Sequence, residues 1–140
     1  MKYCEPPYSE DATQNALANF KNKHIGYAMV LTETEQVIGH LLFHPLPFEE
    51  DGIWEIGWFL NQKFWQQGYA YEASMALITY GFEELNLHKI MAESIDPVKA
   101  AGLMEKLGMV REGIFRKHCK DTAGQWVDLY WYGICNPMEE

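Results

Sequence analysis

The run from Ile53 to Ala70 constrains this chain more than any other. Ile53-Trp54-Glu55-Ile56-Gly57-Trp58-Phe59-Leu60 is dense in Trp, Ile and Phe and predicts a buried strand. A short turn later, at Gly68, the pattern becomes helical. Ala73, Leu77 and Tyr80 form one apolar stripe and Met75, Ile78, Phe82 and Leu85 a second, which predicts a helix from about Gly68 to Leu85 buried around much of its circumference. A strand that feeds a helix through a tight turn calls for a sheet with a helix packed on its face, which rules out an all-helical or all-strand chain. The same junction has a chemical reading. The first amides of a helix lack internal partners and sit at the positive end of its dipole, so they suit a phosphate. Gly68 would let backbone approach such a group with no Cβ in the way, and Ala70 keeps the next turn slim. The bland alternative is a glycine that only makes the turn.

The rest of the chain supplies the remaining layers. Ser9, followed by Glu10 and Asp11, predicts a helix start, with Ala12, Ala16, Leu17 and Phe20 at helical spacing to about Lys21. Gly26 to Thr32 and Val37 to Phe43 read as strands around the polar turn Thr34-Glu35-Gln36. His44-Pro45-Leu46-Pro47 is expected to leave the sheet, since proline cannot donate to a ladder. Lys89 to Ile95 reads as a strand. A helix starts near Pro97, buries Ala100, Leu103, Met104 and Leu107, and stops at Gly108. Val110 to Cys119 and Trp126 to Ile134 are the last strands, joined by Asp121-Thr122-Ala123-Gly124. The fold class is α/β, an α+β mixed sheet with helices on its faces, and residues 1–140 form one domain.

Composition excludes several functions. The formal charge of -9 argues against nucleic acid, whose backbone needs a basic surface, and suits a cationic partner such as an amine, although solubility alone explains most acidic surfaces. No apolar run is long enough to span a bilayer, and the start lacks a signal-peptide core, so a cytoplasmic protein is expected. Cys4, Cys119 and Cys135 are odd in number and widely spaced, which argues against a disulfide framework or a zinc site.

Several segments, in order, carry a wider likeness: Glu55 to Ala73, Glu83-Glu84-Leu85-Asn86-Leu87-His88-Lys89-Ile90, Glu105-Lys106-Leu107-Gly108-Met109, Glu112-Gly113, and Gly124-Gln125-Trp126-Val127-Asp128. From about Gly26 to the C-terminus the chain resembles the GNAT acetyltransferases. The nearest branch acetylates the N-termini of ribosomal proteins and, in relatives, polyamines or antibiotics. The resemblance implies a sheet that splays after a bulged strand, here Ile53 to Leu60, with acetyl-CoA in the gap and no metal. It places the pantetheine arm beside the backbone of Phe59 and Leu60 and extends the cofactor-binding run through Asn61 and Trp65. The pyrophosphate then sits on the amides of Gln66, Gln67, Gly68, Tyr69 and Ala70. Trp65 stands where the family's usual pattern has Gln or Arg.

Glu55 is the candidate catalytic base. An ammonium must lose a proton before its nitrogen attacks a thioester carbonyl, and a carboxylate made more basic by burial can take it. Several GNAT enzymes use a glutamate on this strand. The alternative is a solvent-facing or salt-bridged strand residue. The acceptor implied is a primary amine on a small molecule or a peptide N-terminus. The chain also departs from the branch. Asp96-Pro97-Val98-Lys99-Ala100 lacks the usual Asn and Ser, and Met104 stands where relatives carry a Tyr that serves as acid. The alternative function is therefore a catalytically degenerate module that binds CoA or acyl-CoA as a sensor or partner protein. The family's first strand and helix also have no counterpart here. The resemblance thus implies an N-terminally shortened fold in which Gly26 to Thr32 is an exposed sheet edge, able to pair two chains into a homodimer or to be covered by Met1 to Pro7.

Weaker signals remain. His40 and His44 share a strand face without an evident third metal ligand. His118 and Cys119 are adjacent, so strand alternation puts them on opposite faces. Trp54, Trp58, Trp126, Tyr130, Trp131 and Tyr132 are expected to be core or cleft walls.

Overall fold

The computed structural model of the chain describes residues 26–47 and 49–139, with the side chains of 99–101 excepted. The helix expected from Ser9 and the segment Met1 to Pro7 lie outside the described residues. Six strands form one sheet: β1 (Gly26–Val30), β2 (Val37–Pro45), β3 (Ile53–Leu60), β4 (Lys89–Ser94), β5 (Val110–Lys120) and β6 (Trp126–Cys135). Their spatial order is β1-β2-β3-β4-β6-β5. All neighbours are antiparallel except β3 and β4, which are parallel. A parallel pair needs a crossover, and helix α1 (Tyr69–Glu83) provides it. Helix α2 (Pro97–Lys106) joins β4 to β5.

Alternation sorts the strand residues into two faces. Leu41, Phe43, Ile56, Ile90, Ala92 and Tyr132 point toward α1 and form the core with Leu77, Ile78 and Phe82 of the helix, Met104 of α2 and Leu107 just after it. Gly81 sets how closely α1 approaches: a Cβ there would lie 2.8 Å from Phe43 Cζ and 3.0 Å from Leu87 Cδ1. The buried helix positions are Ser74, Leu77, Ile78, Gly81 and Phe82, one face centred on that contact. Each stripe thus loses its last member relative to the sequence expectation. Tyr80 is exposed because the close approach at Gly81 turns it away from the sheet, and Leu85 is exposed beyond the end of α1. Asn86, at φ 53, turns the chain into the left-handed region after the helix, with the Leu87 N–H donating to the Gly81 carbonyl at 3.0 Å. Gly108, at φ 87, closes α2 as a Schellman motif, with the Met109 N–H donating to the Met104 carbonyl at 2.9 Å and the Gly108 N–H to the Glu105 carbonyl at 3.0 Å.

Three other expectations are corrected. Pro45 stays in β2, paired with Trp54. The Leu46 N–H donates to the Ile53 carbonyl at 3.1 Å, so the position before it is one whose own N–H would face away from β3, and proline loses nothing there. The ladder between β2 and β3 runs in constant register from Gly39↔Leu60 to Pro45↔Trp54, so β3 carries no bulge against β2. In β5 the register shifts between Phe115 and Cys119, with Lys117 at φ 49 donating its N–H to Asp128 Oδ1 at 2.9 Å. Simple alternation therefore does not place His118 and Cys119 there, and the His118 ring packs on Phe115 with centroids 5.1 Å apart.

Candidate active site

Only three residues of β3 pair with β4: Ile53, Trp54 and Glu55, opposite Lys89, Ile90 and Met91. Beyond them β4 continues along β6 to Ser94, and β3 continues along β2 to Leu60. The sheet opens between the two strands, and Glu55 stands where it begins to open. The splay arises from divergence of β3 and β4.

Glu55 projects from the face opposite α1. It shares that face with His40 and His44 of β2, Phe59 of β3, Met91 and Glu93 of β4 and Trp131 of β6. Burial raises the Glu55 carboxyl from 4.5 to about 7, and the Glu93 charge adds to the rise. Its side chain is 20% exposed, and His44 Nε2 lies 3.9 Å from its Oε1. Glu93 is pushed up by burial first, while His118 pulls it down. Glu93 is nevertheless an exposed residue, so water offsets part of that push, and Glu55 is the stronger base candidate. Burial lowers His40, which stacks on Phe59 at 4.6 Å and 20°. Among the described residues no group of three or more His, Cys, Asp or Glu is placed to hold a metal.

Beside this cluster lies a cavity of about 270 Å³ lined by Leu46, Glu49, Met91, Glu112, Gly113, Phe115 and Trp131. Glu112 is paired with Lys89 Nζ at 2.6 Å, so its charge is already balanced. A larger cavity, about 450 Å³, lies on the other face along β1 and the first turns of α1. The smaller one adjoins the titratable groups and has the better claim to an acceptor.

The turn from β3 to α1 is stitched by its own side chains. Asn61 Oδ1 accepts from the Lys63 N–H at 3.0 Å, Trp65 Nε1 donates to the Leu60 carbonyl at 2.8 Å, and Gln67 Nε2 donates to the Lys63 carbonyl at 3.1 Å. Gln66, at φ 61, and Gly68, at φ 85, are both left-handed. A Cβ on Gly68 would meet no protein atom within 4 Å. The first helical bond runs from the Glu72 N–H to the Gly68 carbonyl at 3.0 Å, so the amides of Tyr69, Ala70 and Tyr71 precede the internal ladder.

Backbone alternation also decides which groups of β3 face the opening. The Ile53 carbonyl and the Asn61 N–H both bond toward β2, so the even-numbered residues Ile56, Trp58 and Leu60 turn theirs into the splay. Leu60 lies on that side, although its carbonyl already accepts from Trp65. Phe59 turns its carbonyl toward Gly39.

A family profile for the acetyltransferase (GNAT) domain matches residues 1–110. The chain belongs to the GNAT acetyltransferases. An uncharacterized N-acetyltransferase of Bacillus subtilis (strain 168), YnaD, is 35% identical over 138 residues, covering 96% of this chain and 79% of that protein. The crystal structure of a GNAT-family acetyltransferase from Bacillus anthracis aligns with TM-score 0.84 at 34% identity, over 95% of this chain and 78% of the other. Spermidine N-acetyltransferase from Vibrio cholerae, solved with CoA and spermine, shares the fold with TM-score 0.79 at 20% identity, over 96% and 80% of the two chains.

Within this acetyltransferase, sequence reasoning singled out Glu55 and the phosphate turn but missed the groups around Glu55. His44 was visible only as a possible metal ligand. Glu93 and His118 were not connected to the site at all, although a glutamate directly after the apolar run Ile90-Met91-Ala92 was a usable signal. Met104 is fully buried in the acetyltransferase core. No described helix is long and apolar enough to cross a membrane.

Proposed function

We propose that this acetyltransferase moves acetyl from acetyl-CoA to a primary amine by direct attack, with Glu55 taking the ammonium proton. The observation that carries the reading is a partly buried carboxyl at the opening of the splayed sheet, pushed up to about 7 by that burial. Near neutral pH such a group is partly ionised, and its proton affinity is better matched to an amine than that of an ordinary carboxylate. The turn fits the cosubstrate: open space at Gly68 and the free amides of Tyr69 and Ala70 suit a pyrophosphate, and the splay-facing backbone of Trp58 and Leu60 suits a pantetheine arm. Asn61, Trp65 and Gln67 shape the turn, with Gln66 supplying its left-handed step. The acceptor's body fits the cavity walled by Leu46, Met91, Phe115 and Trp131, with its ammonium toward Glu55 and Glu93. Free Cys119 and Cys135 agree with work in the reducing cytoplasm.

One observation favours a second reading, a module that binds CoA without turnover. Met104, where relatives place a tyrosine acid, is sealed in the core. Proximity alone still supplies much of the acceleration for an amine held against a thioester. Thiol release from acetyl-CoA across a panel of small amines and peptide N-termini separates the two. Wild type should turn over, and Glu55→Gln should lose about 10²-fold or more in kcat while keeping acetyl-CoA affinity. Acetyl-CoA binding with no turnover on any amine would establish the second reading.

A further inference from the structure

His44 and Glu55 are register partners in the β2–β3 ladder. His44 Nε2 faces Glu55 Oε1 at 3.9 Å, and Nδ1 lies 2.9 Å from the carbonyl of Pro45. A carbonyl offers only lone pairs, so Nδ1 must carry a proton to make that bond. In a neutral ring this leaves Nε2 as a bare lone pair directed at the Glu55 carboxyl. The backbone at Pro45 thereby fixes the tautomer that can receive a proton from Glu55.

We propose that His44 is the proton outlet behind Glu55, a positioning residue that resets the base after each turnover. This rests on the acetyl-transfer reading. The acceptor ammonium gives a proton to the Glu55 carboxylate, leaving a neutral amine and a carboxylic acid. The acid passes that proton to Nε2, restoring the carboxylate and leaving His44 as an imidazolium. The imidazolium, with a side chain 25% exposed, releases the proton to water or buffer. The separation is that of an ion pair, and a small turn of the carboxyl closes it to a hydrogen bond. Among the described residues, the other titratable groups on this face are His40 on β2, Glu49 after it, Lys89 and Glu93 on β4, and Glu112 and His118 on β5. Lys89 and Glu112 pair with each other, and Glu93 has His118 beside it. His40 stacks on Phe59. Of all these groups, His44 alone is the register partner of Glu55 in the β2–β3 ladder.

Nitrogen-15 NMR of the wild-type imidazoles tests the tautomer without any turnover. Neutral His44 should carry its proton on Nδ1, and a proton on Nε2 overturns the proposal. Kinetics test the role. His44→Gln should lower kcat about tenfold or more and distort the acidic limb of the pH–kcat profile, with the KM for acetyl-CoA and the melting temperature unchanged. His44→Ala should recover in proportion to added free imidazole base. An unchanged kcat and pH profile, or a loss that imidazole does not restore, overturns the outlet while leaving Glu55 as base. A wild type silent on every amine removes the acetyl-transfer reading and the outlet with it.

Discussion

The two faces of this sheet are built from the same strands, one residue out of phase, and they have opposite characters. On the α1 side Leu41, Phe43, Ile56, Ile90, Ala92 and Tyr132 are each 4% exposed or less. On the other side the interleaved positions are His40, His44, Glu55 and Glu93, with Phe59, Met91 and Trp131 between them. The contrast is sharpest at neighbours: Phe43 is in the core and His44 faces the base, while Ile56 is buried and Glu55 is a titratable group at the opening of the sheet. A period of two lets one short strand serve packing and chemistry at once. Substitutions one residue apart should therefore separate stability from turnover.

The largest stability effect belongs to the packed face. Phe43→Ala removes a ring in contact with Trp54, at 4.9 Å between centroids, and with the helix at Gly81. It should cost about 3–5 kcal/mol in urea unfolding. Glu55→Gln, on the other face, should cost far less and still abolish most activity. Equal destabilisation by the two would break the division between the faces.

The second effect is a pH dependence confined to the titratable face. The Glu55 carboxyl is raised from 4.5 to about 7 in the folded protein. The native state thus binds its proton more tightly than the unfolded chain does. The stabilisation this gives is full below about pH 4.5 and is lost as the pH rises through 7, a difference of roughly 3 kcal/mol. Glu55→Gln should remove that slope, so the variant gains on wild type between pH 5 and 8. Parallel stability–pH curves for the two proteins in that window would show that Glu55 is not desolvated.

Much of this was legible in the sequence, and the parts that were not share a physical cause. The strand from Ile53 to Leu60, the turn at Gly68 and the stop at Gly108 declare themselves through local chemistry: periodicity, a left-handed step, a missing Cβ. The exposure of Tyr80 is not local. It follows from Gly81 meeting Phe43, a contact that no helical pattern contains. The convergence of His44, Glu55 and Glu93 depends on strand register and on where β3 parts from β4. Those are set by pairing between distant segments. Pro45 was misjudged because the rule against proline in a ladder depends on which side its missing N–H would face.

The third effect is smaller and concerns the turn that joins the faces. Gly68 and Gly124 are left-handed at φ 85 and φ 79, and a Cβ on either meets nothing within 4 Å. Alanine at each should therefore cost a similar 1–2 kcal/mol or so of backbone strain. They differ only in place, one at the start of α1 and the other in the β5–β6 turn. Gly68→Ala should weaken acetyl-CoA binding about tenfold by calorimetry, because its methyl occupies the space proposed for the phosphates. Gly124→Ala should leave affinity unchanged. Equal affinities in two folded variants would move the phosphate site elsewhere.

The smallest expected effect lies at β1, where both faces end. Among the described residues β1 pairs only with β2. Its side chains divide as the rest of the sheet does. Met29 is buried and its Cε lies 2.9 Å from where a Cβ on Gly39 would stand, whereas Val30 is 47% exposed. A lysine at Met29 would bury a charge and unfold the chain, so it cannot report on the edge. Val30→Lys can: it should shift stability by less than about 0.5 kcal/mol. An unpaired edge strand is a template for another strand, and a lysine on it opposes pairing. If two chains associate through β1, sedimentation velocity across a concentration series should show a larger species in wild type that Val30→Lys reduces. A wild type that dimerises as strongly with Lys at position 30 would place the contact away from this edge, and one that stays monomeric throughout would remove the homodimer.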